Sequence, residues 1–510
     1  MMRVLGLGGV FIMMMALSVL ARDGMFSRDG VVFMTLAQRL QEGDLASVLL
    51  HPQQPLVPFL IALLGKAGLD PVAAGRMVSM GGLFTALSSL ALMIAKRSGR
   101  LAGAWAFIFM LATPSALSDG SDVLSDAPYW GFVALGTLLL ARAIDTRSVW
   151  LGFPAGVLLA ASALTRPEGY VMSGALLVFG LVTALCRGES APGRHRGLSL
   201  AVLAVSTLAF CLTIAPYVQA LHKVTGDWRL SMKVDFARMA GLDAAFPTTT
   251  PARDVMRVGN LSVENSRDEF LESPTPGEQA HYALDQTLFK FLDTLGFVQG
   301  LVIFIGLAMF RRSLTLHPEV LFLASVTLVL GAVQWFQDHY LSHRHVMMAA
   351  LALGSLCGPL GLELAAWCRA RQPRAARYGS TFVLVAMCLV ALERQGKWFR
   401  GEEARLASNK AHLREIGQTL QGRPESYLVG SDCRVAWFSR KQFIEWPRRE
   451  DPFDYIHREV PEEIGEGFIL VLPDNPPHES YSKEILASRL ATDGWRPQLS
   501  LGGETVYVRD

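Results

Sequence analysis

The sequence predicts an all-α polytopic membrane bundle of about eleven transmembrane helices, followed by a small C-terminal soluble α/β domain. Three observations predict it. Hydrophobic residues make up 51% of the 510-residue chain and charged residues only 18%, where a soluble domain is nearer a quarter charged. The apolar residues fall in blocks of about 16 to 23, separated by short polar loops. The stretch from Glu393 onward breaks that pattern and alternates helix-like with strand-like segments.

The apolar blocks place spans at about 4–20, 73–95, 101–117, 128–143, 149–165, 168–186, 198–220, 294–311, 319–336, 345–364 and 378–392. The first reads as an uncleaved span, because only Arg3 precedes it and no small-x-small cleavage site follows. Between the first two spans, Val32, Phe33, Leu36 and Leu40 share one face of an amphipathic helix lying on the membrane surface. The run 55–64 is too short to cross and reads as interfacial or re-entrant.

Basic residues fix an orientation. One set of alternate loops carries Lys96, Arg97 and Arg100, then Arg142 and Arg147, Arg187 to Arg196, Arg311 and Arg312, and Arg369 to Arg377. Two of the loops between them, 118–127 and 337–343, carry neither Lys nor Arg. The basic set is therefore expected on the cytoplasmic side, with the N-terminus inside and the C-terminus outside. Residues 1–392 form the membrane module, with outer loops 21–72, 118–127 and 221–293. Residues 393–510 form the outward domain. In that domain Leu406, Leu413, Ile416 and Leu420 share a helix face, 427–429, 468–472 and 505–508 read as strands, and 484–490 is helix-like.

A net charge of +2 gives no case for nucleic acid. The six cysteines form no CxxC pair and read as small apolar side chains. No HExxH, Walker A or DxD motif is present, which argues against a zincin, an ATPase and a nucleotide-sugar enzyme that holds its metal in a DxD motif.

The ionisable residues of interest gather at outer span ends, where desolvation makes them costly. They are Asp23, Arg28 and Asp29; Asp119, Asp122 and Asp126; Arg166 and Glu168; and the run Asp338 to His345. Asp119 and Asp122 read as solvated loop residues, and Asp126 as a helix cap or a site residue. A carboxylate at a dry outward site can take a proton from a nucleophile, and an arginine can neutralise a phosphate. Together these suit transfer of a sugar from a lipid phosphate.

Asp29 to Asp44 followed by His51-Pro52-Gln-Gln-Pro55-Leu56 resembles the first outer loop of the GT-C membrane glycosyltransferases, which include protein O-mannosyltransferases and the lipid A aminoarabinose transferase. Ser125-Asp126, Leu164-Thr165-Arg166-Pro167-Glu168-Gly169 and Arg344-His345 resemble later motifs of that family. Phe33 and His345 stand where the family has Tyr. The resemblance implies a bacterial inner-membrane enzyme with a polyprenyl-phosphate sugar as donor and a lipid, glycan or protein as acceptor. It implies Asp29 as catalytic base, Asp126 as its helper and Arg344 on the donor phosphate. His345, Arg166, Glu168 and His51 complete the substrate side. No metal site is assigned, although His51 could ligate a divalent metal beside an acidic partner. A transporter or flippase would place charges at mid-span, and an O-antigen ligase would place its key residues in a large late loop.

Overall fold

The computed structural model describes residues 26–113, 115–187, 193–232, 276–309, 317–338, 341–371, 404–423, 427–430, 433–445, 468–473, 495–501 and 504–509, with a few single residues between them. The expected spans 4–20, almost entirely, and 378–392, together with the greater part of the 221–293 loop and of 484–490, lie outside the described residues.

Two compact units emerge. The first comprises 1–20, 33–246 and 263–400; the second comprises 21–32, 247–262 and 401–510.

The first unit is a helical bundle. Its leading helices are α1 (Arg28–Glu42, whose first turn belongs to the second unit), α2 (Leu45–Leu50) and α3 (Leu56–Lys66). Then come α4 (Pro71–Ser98), α5 (Arg100–Leu111), α6 (Ala116–Ser121), α7 (Asp126–Thr146), α8 (Val149–Thr165), α9 (Glu168–Arg187) and α10 (Gly193–Thr225). The last group is α11 (Pro276–Leu295), α12 (Phe297–Met309), α13 (Pro318–Asp338), α14 (His343–Ser355) and α15 (Cys357–Arg371).

Among the described residues six helices are long and apolar enough to cross a membrane, and a seventh span results if α11 and α12, bent by 106°, count as one. The chain is thus a multi-pass membrane bundle. Side chains such as Leu92, Val178, Leu212 and Val329 remain exposed in the isolated bundle, as hydrocarbon-facing residues do.

Several boundaries differ from the sequence reading. The 101–117 block is not one span: α5 stops at Leu111 and a separate turn of helix, α6, follows. Pro114 explains the break, because proline removes a donor and pushes the residue before it out of the helical region. Helix α8 has 17 residues, short of a comfortable span. Residues 276–293, expected in an outer loop, form most of α11. On α1 the buried face is Val31, Phe33, Met34, Leu36 and Ala37; Val32 and Leu40 lie only partly buried at its edge. The 55–64 run forms the 11-residue α3, and Gln41 Nε2 on α1 donates to the Ala62 carbonyl at 3.1 Å.

The centre of the bundle is α7, packed between α4 and α8. Its approach to α4 is set by glycine. A Cβ on Gly82 would lie 2.4 Å from the Pro128 nitrogen, and one on Gly131 would lie 2.6 Å from the Gly82 carbonyl. Backbones this close leave no room for any side chain, so the entrance of α7 is held directly on α4. At the opposite end of these helices Lys96 pairs with Asp145 and Arg97 with Glu319, and the Ser98 hydroxyl meets His317 Nε2 at 2.9 Å.

The second unit holds a five-stranded sheet. Its strands are β1 (Tyr427–Gly430), β2 (Gln442–Glu445), β3 (Phe468–Pro473), β4 (Trp495–Leu501) and β5 (Glu504–Arg509), in the order β2-β1-β3-β5-β4. β1 pairs in parallel with β2 and β3; β5 pairs antiparallel with β3 and β4. Helices α16 (Ala404–Thr419) and α17 (Cys433–Ser439) cover the sheet, and Leu413, Ile416, Leu428, Val435, Ile469 and Val506 fill the core. Sequence periodicity missed β2 and β4. β4 alternates too weakly, with only Trp495 fully buried, and β2 is four residues long. Phe26 joins this unit by packing against Trp437 and Phe438, with ring centroids 6.3 and 5.6 Å away.

Gly82→Ala forces backbone apart at the α4–α7 contact and is expected to cost about 1–3 kcal/mol. Gly81→Ala, where an added Cβ meets nothing within 4 Å, should be neutral or stabilising. Thermal melts of the two purified variants in detergent check this, with a lower Tm expected for Gly82→Ala alone.

Candidate functional site

Five helix ends converge at one end of the bundle: the starts of α7, α9 and α14 and the ends of α8 and α13. They enclose a cleft of about 390 Å³ lined by Asp126, Tyr129, Trp130, Arg166, Glu168, Thr327, Gln334, Arg344 and His345 among others.

Asp126 enters through a buried loop. Val123, Leu124 and Ser125 are each under 7% exposed. The Ser79 hydroxyl on α4 donates to the Leu124 carbonyl at 3.0 Å and accepts from the Leu124 N–H at 3.1 Å, which pins the loop. Ser125, not Asp126, occupies the capping position of α7 and makes no side-chain cap bond. The Asp126 carboxylate, 2% exposed, is left to face the cleft.

Arg166 is aimed by its own local chemistry. It precedes Pro167, which demands an extended backbone, and it has φ −147° and ψ 142°. The next helix then closes tightly against α8: a Cβ on Gly169 would lie 2.5 Å from the Ser162 carbonyl and the Ala163 nitrogen. The Arg166 guanidinium bonds Glu168 with two nitrogens, Nη2 to Oε1 at 3.0 Å and Nε to Oε2 at 3.3 Å, and donates Nη1 to Asp126 Oδ1. Burial works against its charge, yet Asp126 and Glu168 outweigh that and hold it more firmly protonated than an isolated arginine.

Arg344 arrives on the first turn of α14. Ser342 caps that helix, accepting from the Arg344 N–H at 3.1 Å, while His345 Nδ1 accepts from the Ser342 N–H at 3.1 Å. Nδ1 as acceptor leaves the His345 proton on Nε2. Arg344 Nη1 stands 3.7 Å from Asp126 Oδ2, beyond hydrogen-bond range, and its side chain is 26% exposed. Asp126 therefore lies between one guanidinium in hydrogen-bond contact and one standing farther off.

Of the residues read from sequence, Asp126, Arg166, Glu168, Arg344 and His345 share this cleft. His51 does not line it. It ends α2, its Nδ1 accepts from the Gln53 N–H at 3.1 Å, and burial, with Arg39 adding, pushes its imidazole down to about 4. Asp29 sits in the first turn of α1, in the stretch that belongs to the second unit. Among the described residues no group of three His, Cys, Asp or Glu side chains is placed to hold a metal ion.

The expectation of solvated Asp119 and Asp122 is corrected. Both are 5% exposed, because α6 folds them inward rather than presenting a loop to water. Asp119 Oδ1 meets His343 Nε2 at 3.2 Å. Sequence also passed over Tyr129, Trp130, Thr327 and Gln334. Tyr129 and Trp130 look like span-end aromatics, and the polar Thr327 and Gln334 are diluted within an apolar block.

No family model matches the chain, and no curated protein matches it. Solved structures do. The chain is similar to ArnT from Cupriavidus metallidurans bound to undecaprenyl phosphate, at 12% identity over 99% of this chain and 97% of that one, with a TM-score of 0.63. Apo ArnT gives 13% identity, coverage of 99% and 98%, and a TM-score of 0.55. The Archaeoglobus fulgidus oligosaccharyltransferase AglB, in complex with an inhibitory peptide and a dolichol-phosphate, gives 12% identity, coverage of 99% and 74%, and a TM-score of 0.52. The likeness runs through nearly the whole chain and identifies the fold as GT-C.

Arg166→Met leaves Asp126 and Glu168 buried without their shared cation and is expected to cost about 3–5 kcal/mol. Arg344→Met removes a partly exposed guanidinium that stands 3.7 Å from Asp126 and should cost less than Arg166→Met. Unfolding of the two variants in mixed micelles compares them.

Proposed function

We propose that this GT-C chain is a membrane glycosyltransferase that moves a hexosyl or pentosyl group from a polyprenyl-phosphate donor to a lipid, glycan or protein acceptor. Arg344 carries the reading. It is a partly exposed, cleft-lining guanidinium on the first turn of a helix, the side-chain type that best matches a phosphate. The printed ligands of the similar structures, undecaprenyl phosphate and dolichol-phosphate, support the same donor class.

In the proposed reaction the acceptor's hydroxyl or amine gives its proton to the Asp29 carboxylate and attacks the anomeric carbon. A new bond forms from that carbon to the acceptor, the bond to the phosphate oxygen breaks, and the lipid phosphate leaves against Arg344. A single displacement inverts the anomeric centre. Asp126 is poorly suited to take the proton, because two guanidiniums flank it. Its role is to orient Arg344. His345 and Glu168 bound the sugar, and His51 stands apart as a substrate-side residue of the first loops.

The proposed setting is the bacterial inner membrane, with eleven spans, a cytoplasmic N-terminus, and the cleft and a soluble 393–510 domain on the periplasmic side. The absence of Lys and Arg from 118–127 and 337–343, two of the loops at the cleft end, supports that orientation. The ion-pair cluster at helix ends, rather than at mid-span, favours an enzyme over a transporter.

The test is transfer of label from a panel of polyprenyl-phosphate sugars to native membranes. Wild type should transfer from one donor, and Asp29→Asn should lower kcat by about 100-fold or more with folding intact. Transfer that survives Asp29→Asn removes that residue as base; no transfer from any donor sinks the whole reading.

A further inference from the structure

The stretch that carries Asp29 belongs to the second unit, together with 247–262 and 401–510, and α1 leaves that unit after Val32. Ser27, the residue before α1, accepts from the Gly30 N–H through its hydroxyl at 3.1 Å, which closes the turn that holds Asp29. One residue earlier, Phe26 is 3% exposed. Its ring meets Trp437 edge-on, with 87° between the ring planes, and Phe438 at 47°. Neither of those rings belongs to the core that Leu413, Ile416, Val435 and Ala436 build between the helices and the sheet. Phe26 is the aromatic partner of both.

The mount for Phe26 is firm. A helix of seven residues such as α17 does not hold its shape alone. Here a Cβ on Gly417 of α16 would lie 2.5 Å from the Phe438 Cβ, so the two helices meet without a side chain between them. Gln421 Nε2 donates to the Phe438 carbonyl at 2.8 Å. Just past the helix, the Lys441 N–H donates to the Ala436 carbonyl at 3.0 Å, and Lys441 Nζ to the Arg423 carbonyl at 3.0 Å. All these contacts fix the end of α17 that bears Trp437 and Phe438.

We propose that Phe26, seated on Trp437 and Phe438, is the anchor through which the C-terminal domain positions the base Asp29. This rests on the function proposed above, in which Asp29 takes the acceptor's proton as the acceptor attacks the anomeric carbon. Phe26 and Asp29 flank the Ser27 cap, so a ring that loses its seat moves the turn that carries the carboxylate. The first turn of a helix has no earlier turn to bond it and frays most readily, so a base placed there needs a hold from outside the helix. Proton abstraction demands hydrogen-bond distance, and a displacement of about an ångström forfeits much of the rate. The domain thereby serves the chemical step itself. Phe26, Trp437 and Phe438 are positioning residues that act through Asp29.

The experiment is a mutant cycle on label transfer by the full-length protein, from the panel of polyprenyl-phosphate sugars to native membranes. Phe26→Ala, Trp437→Ala and Trp437→Phe are each measured alone and combined with Asp29→Asn, with thermal melts reporting folding. Trp437 is only partly buried, so its variants are expected to fold even if Phe26→Ala does not. The anchor predicts that Phe26→Ala and Trp437→Ala lower kcat about tenfold and leave the KM for the donor unchanged. Trp437→Phe, which keeps a ring, should retain most of the wild-type rate. In the Asp29→Asn background neither alanine variant should lower the residual rate further, because a base already lost cannot be misplaced. The same fold loss in both backgrounds marks a general loosening of the domain and overturns the anchor. A full wild-type rate in the alanine variants, with transfer still lost in Asp29→Asn, overturns the anchor and leaves the proposed function standing. Transfer that survives Asp29→Asn overturns the anchor and the base assignment together, and no transfer by wild type from any donor overturns the anchor along with the proposed function.

Discussion

The candidate site depends on one constraint: the Asp126 carboxylate is almost wholly removed from water, at 2% exposure, and must be given a positive partner inside the bundle. A lone ionised carboxylate there would cost several kcal/mol. Arg166 provides the partner, but only because three other features deliver it. Pro167 forces the extended backbone at Arg166. Gly169 lets α9 start against the backbone of α8. Glu168 grips the far side of the guanidinium with both oxygens, so its planar fork points at Asp126. On the other side, Gly82 and Gly131 hold the start of α7 against α4, which fixes where Asp126 can be. The glycines and the charges are thus parts of one arrangement. The backbone contacts exclude water, and the exclusion gives the ion pairs their strength.

Much of this was legible in sequence, and what was not had physical reasons. Blocks of apolar residues located α4, α7, α9, α10, α13 and α14, because a span must be long and uniformly apolar whatever its neighbours. The Arg166-Pro167-Glu168-Gly169 turn was readable because each residue there does something local. Asp119 was not. Three aspartates in a short Ser- and Gly-containing stretch look like a solvated loop, and only tertiary packing of α6 shows that they are buried. The break after α5 could have been read from Pro114, yet the apolar run on either side hid it. Strands β2 and β4 escaped because one is four residues long and the other is exposed over most of its length. Tyr129, Trp130 and Gln334 have no motif of their own; they matter by facing the same space as Asp126.

Asp126 also separates two kinds of arginine, and this asymmetry gives the cluster a use beyond stability. Arg166 is bound at every side and cannot leave without exposing two buried carboxylates. Arg344 stands 3.7 Å away, partly exposed, on the first turn of α14. In the proposed function an incoming phosphate draws on Arg344 and not on Arg166. Asp126 then keeps Arg166, so no buried charge is stranded and binding carries no large reorganisation cost. A site with two equally engaged arginines would resist the ligand, and a site with one arginine and no fixed partner would leave Asp126 uncompensated each time the ligand arrived. One hydrogen-bonded and one more distant guanidinium on a single buried carboxylate meets both requirements of the proposed function, in which Asp126 positions charge and takes no proton.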